Sequence, residues 1–301
     1  MKCDLCPRKC LVDRKKGEKG ICGQTENLKV ARAALHFWEE PCISGDAGSG
    51  AVFFSGCPLH CVFCQNENIA NGTVGKEISL ERLVDIFLEL QEKRANNINL
   101  VTPGHFVPQI VKALDQARKE GLTLPVVYNT SSYETVDTIK MLEGYVDIYL
   151  PDFKYMSPVL SKKYSHAPDY AEVAKAAIAE MVRQTGKAVF VNGDEDNLIL
   201  SGTIVRHLTL PGCMAYSMQI LKYLHDTYGD MIYISIMNQY TPVFEQKEYT
   251  ELNRCVTRRE YEKVLDYAFE LGIENGFFQD GETARESFIP AFDYEGVRKM
   301  P

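Results

Sequence analysis

From residue 50 onward, short runs dense in β-branched and aromatic residues alternate with longer stretches whose apolar positions recur at helical spacing. The first pattern predicts buried strands and the second amphipathic helices. "GAVFFSGC" (50–57) reads as a strand and "ISLERLVDIFLELQEKRA" (78–95) as a helix, with Ser79 placed to cap its first turn. The strand "NINLVTP" (97–103) precedes the helix "VPQIVKALDQARKEG" (107–121), which ends on a glycine as helices commonly do. "LPVVYNTSS" with "ETVDTIKMLEGY", "VDIYLPDFKY" with "PDYAEVAKAAIAEMVRQTG", and "GTIVRHLTLPG" with "AYSMQILKYLHDTYG" repeat the unit. "MIYISIMNQYTP" and "RREYEKVLDYAFELG" make a sixth, and "KAVFVNGDEDNLILSG" (187–202) reads as a hairpin turning at "NGDEDN".

Six strand–helix units in succession predict a parallel sheet with right-handed crossovers. The strands are near-continuous apolar runs, as expected where helices cover the sheet. Periodicity alone leaves an open doubly wound sheet and a partial barrel both standing. Each strand, however, ends in a polar cluster: "SGC", "TPGH", "YNTSS", "PDFK", "RHLTLPG", "MNQYTP". Chemistry in α/β folds sits at such C-terminal strand ends, and a wheel of them around one site suits a barrel better.

The chain has 301 residues, 45% of them hydrophobic, enough for a sizeable core. No run approaches the roughly 18 apolar residues of a membrane span, and "MKCDLCPRKC" lacks a signal peptide's apolar stretch. The expectation is a cytoplasmic protein with no membrane partner. In that setting ten cysteines point to metal or redox chemistry before disulfides. Residues 1–25 hold seven Lys/Arg against three acids, a charge of +4, so the rest carries −12 of the total −8. An acidic body argues against wide phosphate-backbone contact, and no nucleic-acid partner is expected.

Cys57, Cys61 and Cys64 are spaced C-x3-C-x2-C directly after the first apolar strand. A structural zinc site closes with four protein ligands and a disulfide uses two. Three thiolates on one loop leave a coordination position unfilled, which on a 4Fe–4S cluster means one iron open to an exogenous molecule. The alternative is a zinc site completed by His60 or a distant cysteine. Cys3, Cys6, Cys10 and Cys22 form a second group, C-x2-C-x3-C-x11-C, able to close a site by themselves. It suits structural zinc or an auxiliary iron–sulfur cluster, and residues 1–25 have too little apolar content to fold without the metal.

The three-cysteine loop, with Phe63 just before its last cysteine, resembles the signature of the radical S-adenosylmethionine (radical SAM) enzymes. The resemblance covers about residues 50 to 245. It implies a partial (β/α)6 barrel over residues 46–301, with a cysteine-rich metal-binding segment at 1–45. It also implies that the open iron binds the amino and carboxylate groups of S-adenosylmethionine (SAM). Reductive cleavage would then give methionine and a 5′-deoxyadenosyl radical that abstracts hydrogen from a substrate.

"CVFCQN", which contains Phe63 and Asn66, resembles the activating enzymes of pyruvate formate-lyase and related glycyl radical enzymes. So do "PDFK" and "RHLTLPG". The resemblance implies an electron donor such as flavodoxin or ferredoxin, and a glycyl radical enzyme or other protein as substrate. It brings Lys154 toward the cofactor carboxylate; Asp152 and Lys154 alternate on one face of a strand end. Where that family carries Gly-Gly-Glu for the methionyl ammonium, this chain has "VTPGH". Thr102, Gly104 and His105 are the candidates there, against a plain Pro-Gly turn with His105 capping the next helix. Asn129 and Ser131 are placed for the ribose, and Asn238 and Gln239 for adenine. Simple turn chemistry and a capped barrel end are the respective alternatives. Of Arg206 and His207, one faces inward and the other outward. An electron-transfer protein without SAM chemistry is the competing class, but it needs neither an open iron nor a ring of polar strand ends.

Overall fold

The computed structural model describes residues 2–194, 197–279 and 290–298. Ten strands among them form one sheet: β1 (Lys29–His36), β2 (Ser49–Phe54), β3 (Lys76–Glu77), β4 (Ile98–Val101), β5 (Val126–Thr130), β6 (Ile148–Pro151), β7 (Val189–Phe190), β8 (Ile199–Leu208), β9 (Tyr233–Met237) and β10 (Gly276–Phe278). The helices are α1 (Pro41–Ser44), α2 (Glu67–Ala70), α3 (Leu80–Glu92), α4 (Val107–Lys119), α5 (Val136–Lys140), α6 (Pro158–Ser165), α7 (Tyr170–Thr185), α8 (Met214–Tyr228) and α9 (Arg258–Glu270).

The order β10-β9-β8-β6-β5-β4-β2-β1-β3 makes a parallel body from β2 to β10, with β1 and β3 antiparallel at one edge. The two ends of this path do not pair, so the sheet is a partial barrel. All six expected strand–helix units form. β7 and β8 make the antiparallel hairpin read from residues 187–202, of whose turn residues 195 and 196 lie outside the described residues. Ser79 caps α3 by accepting from the Arg82 amide.

Three strands are unexpected: the short β3 and β10, and the eight-residue β1. "KVARAALH" forms β1 and pairs with β2 from Val30↔Phe54 to His36↔Ser49. β1 therefore runs down beside β2 and delivers the chain to the N-terminal end of the parallel strands. There α1 plugs the barrel, its Cys42 and Ile43 packing against Val127, Ile148, Leu150, Ile204 and Tyr233. Residues up to 45 are thus not a separate appendage: β1 and α1 belong to the barrel, and only the first 28 residues stand outside its sheet.

Alternation along the strands decides what fills the inside. Outward-facing Val52, Phe54, Ile98, Leu100, Val126 and Tyr128 pack into one core with the helices. The inward positions nearer the C-terminal strand ends include the polar Asn129, Asp152, Arg206 and Ser235 beside the apolar Phe53, Val101, Leu208 and Met237. That half of the lumen, above α1, holds a cavity.

Candidate active site at the strand ends

The cavity has a volume of about 570 Å³ and is bounded by the ends of β2, β4, β5, β6, β8 and β9 and the loop that follows β2. This loop carries Cys57, Cys61 and Cys64, all three lining the cavity. It is pinned from outside: the Val62 amide donates to the Tyr164 carbonyl (2.9 Å), and Gln246 donates to the Val62 carbonyl (2.6 Å). Phe63 turns into the core edge-on to Tyr164 and Tyr240. His60 takes a left-handed conformation (φ 49°) and engages both ring nitrogens elsewhere, with the Ile21 carbonyl at 2.7 Å and Asn71 at 3.2 Å. It is therefore not the fourth ligand of a zinc site. Ser165 donates to the Cys61 sulfur at 3.0 Å.

Burial, and then the neighbouring thiols, push Cys57 up to about 11 and Cys64 up to about 12. Cys61 rises too, chiefly through burial, with Lys154 opposing. Three half-buried sulfurs that resist ionisation in each other's company are a donor set for a cationic centre, which deprotonates a coordinating thiol outright. Among the described residues no three ligating side chains close as tightly as a single metal ion requires.

Opposite the loop, a network of buried charges lines the wall. Lys154 Nζ donates to Asp152 Oδ2 at 2.7 Å, and Asp152 Oδ1 accepts from Arg206 Nε at 3.0 Å. The rest of the Arg206 fork reaches Glu39 (2.9 Å) and Asn129 (2.7 Å). Burial alone would discharge these groups; Lys154 and Arg206 nevertheless hold Asp152 low, and Asp152 and Cys61 hold Lys154 up. The cavity is thus provided with a charged lysine beside the cysteine loop.

The remaining expected residues divide. Asn66, Thr102, Asn129, Ser131 and Gln239 line the cavity; Gly104, His105 and Asn238 do not. Thr102 has φ 55°, a conformation costly for a β-branched residue, and its amide is held by the Asn129 carbonyl at 2.9 Å. His105 turns the other way. It is buried, its Nε2 lies 2.7 Å from the Ser55 carbonyl, and its own carbonyl accepts from Arg14. Packing against the N-terminal segment, not a cofactor, occupies it. A carboxylate does stand at this turn, from an unexpected source. Glu134 lies behind Gly104, where any Cβ would overlap it, and accepts from Thr130 at 2.8 Å. Burial lifts Glu134 to about 7. Of the alternating pair, Arg206 faces in, while His207 faces out to the Phe153 carbonyl and Ser217. Glu39, Glu40 and Trp38 also line the cavity; nothing in the sequence marks them, because the strand before them shows neither an apolar run nor a clean alternation.

The N-terminal cysteines gather beside this site. A Cβ on Gly20 would lie 3.1 Å from the Cys10 sulfur and 3.5 Å from that of Cys22, which places those two side by side. Burial raises Cys6 to about 12 and raises Cys22, and both are raised further by Cys3. Arg8 ties the segment to the barrel, donating to the carbonyls of Pro58 (2.8 Å) and Ser165 (3.0 Å). At Gly56, leading into the cysteine loop, a Cβ would come within 2.5 Å of the Cys22 carbonyl.

Residues 51–196 match the model of the radical SAM superfamily. A 27% identical relative, an uncharacterized protein of Methanocaldococcus jannaschii, aligns over 279 residues, covering 90% of this chain and 75% of that protein. Among solved structures the fold is similar to Streptococcus suis SuiB bound to S-adenosylmethionine (TM-score 0.51, 14% identity, 75% of this chain and 49% of that one). It is similar also to SuiB bound to the precursor peptide SuiA (TM-score 0.50, 14% identity, 75% and 47%). This chain spans about half the length of those SuiB chains. Residues 51–196 are thus similar to a radical SAM domain, a family that uses a 4Fe–4S cluster and SAM.

Proposed function

We propose that this protein cleaves SAM reductively and abstracts a hydrogen atom from a protein substrate, in the manner of the activating enzymes of glycyl radical proteins. One observation carries the reading: Cys57, Cys61, Cys64 and the half-buried Lys154 line one cavity, with no fourth cysteine among its described lining residues. In this assignment the three cysteines hold a 4Fe–4S cluster and leave one iron to the cofactor. When bound, cluster and SAM together supply the electron transfer that splits the sulfonium and produces the hydrogen-abstracting 5′-deoxyadenosyl group.

The chain's own residues bind and orient. Lys154, kept charged by Asp152, meets the methionyl carboxylate as that group leaves water. Thr102, in its strained conformation, turns its hydroxyl and the adjacent backbone toward the ammonium. Asn129 and Ser131 serve the ribose, and Gln239 the adenine. Phe63 and Asn66 shape the loop. The activase-like role is supported by the "CVFCQN", "PDFK" and "RHLTLPG" motifs. SuiB, similar in fold, was solved with a precursor peptide, which favours a polypeptide substrate. The electron donor is flavodoxin or ferredoxin. The test of an open iron is spectroscopic: adding SAM to the anaerobically reduced cluster shifts its EPR g-values. An unchanged spectrum at saturating SAM would mean a closed cluster and an electron carrier.

A charge-assisted hydrogen bond contributes about 1.5–3 kcal/mol. Lys154→Ala therefore weakens SAM binding by about 10- to 150-fold, while the cluster still assembles. Asp152→Asn gives a smaller loss in the same direction. Titration of the oxidised cluster with SAM measures both, and an unchanged affinity in Lys154→Ala removes that lysine from the site.

Cys3, Cys6, Cys10 and Cys22 are assigned a separate metal, zinc or an auxiliary iron–sulfur cluster. A variant with Cys57, Cys61 and Cys64 all replaced by alanine retains about one zinc ion or one cluster at this second site. Metal analysis of the purified variant separates the two, and finding neither metal refutes the assignment.

A further inference from the structure

The cavity continues below its mouth to a floor built by the turn between β1 and α1. Since β1 runs antiparallel to β2 and ends at His36↔Ser49, this turn enters the lumen from the end opposite the cysteine loop. It places Glu39 and Glu40 above the α1 plug. The two carboxylates differ. Glu39 is fully engaged: Asn99 (3.0 Å) and Asn129 (3.1 Å) donate to one oxygen and Arg206 to the other. Glu40 is 8% exposed, lines the cavity, and has a buried oxygen, Oε2, without a hydrogen-bond partner. Its side chain does not cap α1, although Glu40 is the N-cap residue.

A buried polar oxygen left unpaired costs free energy, and a charged one more. Burial pushes the Glu40 carboxyl up, Arg206 pulls it back, Glu39 pushes it up again, and a hydrogen bond with Ser235 lowers it. The Arg206 fork is already directed at Glu39, Asp152 and Asn129, so it does not complete Glu40. The cavity that Glu40 lines also has aromatic walls, from Phe53, Phe277 and the partly exposed Trp38. His36, also on the wall, is held at about 4 by burial and by Arg32 and Arg206, so it brings no competing charge. One incompletely paired carboxylate among aromatic faces recognises an organic cation, through a charge-assisted hydrogen bond and cation–π attraction.

We infer that Glu40 receives a positively charged group of the substrate, an amine or a guanidinium, at the floor of the lumen. The inference deepens the function proposed above and rests on it. SAM sits at the mouth in that reading, near Lys154 and the cysteine loop. A substrate anchored at the floor by its cation presents its C–H bonds upward to the cofactor.

Trp38 is the only tryptophan of the chain and lines the cavity, so its fluorescence reports on the cavity. The anaerobically reconstituted full-length protein is titrated with n-butylammonium, n-butylguanidinium and, as the neutral counterpart, 1-butanol. The expected result is a saturable change with a cation and none with the alcohol at equal concentration. The tighter of the two cations identifies amine or guanidinium. Glu40→Gln weakens cation binding by tenfold or more, and the SAM affinity, read separately from the cluster's EPR, stays unchanged. Equal response to alcohol and cations overturns the inference. So does a Glu40→Gln protein that binds the cations as before, or one whose SAM affinity falls by the same factor, since the carboxylate would then serve SAM's own ammonium. Should Glu40→Gln fail to fold, the comparison of charged with neutral ligand on the unaltered protein decides alone. A protein that distinguishes the cations but never binds SAM refutes the proposed function and leaves the cation site standing.

Discussion

Alanine at Cys57, Cys61 or Cys64 yields a folded protein that no longer holds the 4Fe–4S cluster and forms 5′-deoxyadenosine only at background. The barrel survives because the loop is tied by groups other than its sulfurs. Val62 is bonded to the Tyr164 carbonyl and to Gln246, Arg8 holds the Pro58 carbonyl, and Phe63 is buried between Tyr164 and Tyr240. The cluster does not survive, because three sulfurs are already one short of a closed ligand set. Absorbance, EPR and iron per chain read the loss directly, with circular dichroism confirming the fold. A single-alanine variant with unchanged iron and unchanged EPR would move the cluster elsewhere.

Arg206→Met destabilises the protein by about 3–5 kcal/mol, the range for removing one partner of a buried ion pair. Arg206 is the common partner of Glu39 and Asp152, and its third branch meets Asn129. Methionine preserves bulk but leaves two buried carboxylates with Lys154 as the remaining cation of the network. Arg206→Lys recovers only part of the loss, because an ammonium cannot reproduce the planar fork that reaches three side chains at once. Denaturant unfolding of wild type and variants measures the difference; a loss below 1 kcal/mol would mean that the network is solvated and contributes little.

The strand–helix units were legible because helices and parallel strands each bury a periodic apolar face. The inward positions Asn129 and Asp152 could be read too, because two-residue alternation at a strand end puts polar side chains in the lumen. β1 could not. "KVARAALH" carries Arg32 in its middle and lies next to the two-residue edge strand β3, so it shows neither the long apolar run of a buried strand nor a clean alternation. Missing β1 hid the floor of the cavity: Glu39 and Glu40 look like loop acids unless the antiparallel strand before them is known. His105 was misleading for a related reason. Its position after β4 suggested the cofactor, but Arg14 stacks on Phe106 and donates to the His105 carbonyl, so the turn is packed outward against the N-terminal segment. The Glu134 carboxylate behind Gly104 lies 30 residues along the chain, after the next strand, beyond the reach of any local motif.

In the proposed function this cavity breaks SAM with one electron. The direct measurement is chromatography of the anaerobically reconstituted protein incubated with dithionite and SAM. Formation of 5′-deoxyadenosine together with methionine, dependent on reductant and lost in Cys61→Ala, is the result this site requires. A full complement of reducible iron–sulfur cluster with no 5′-deoxyadenosine above the protein-free control would contradict it and leave an electron-transfer protein.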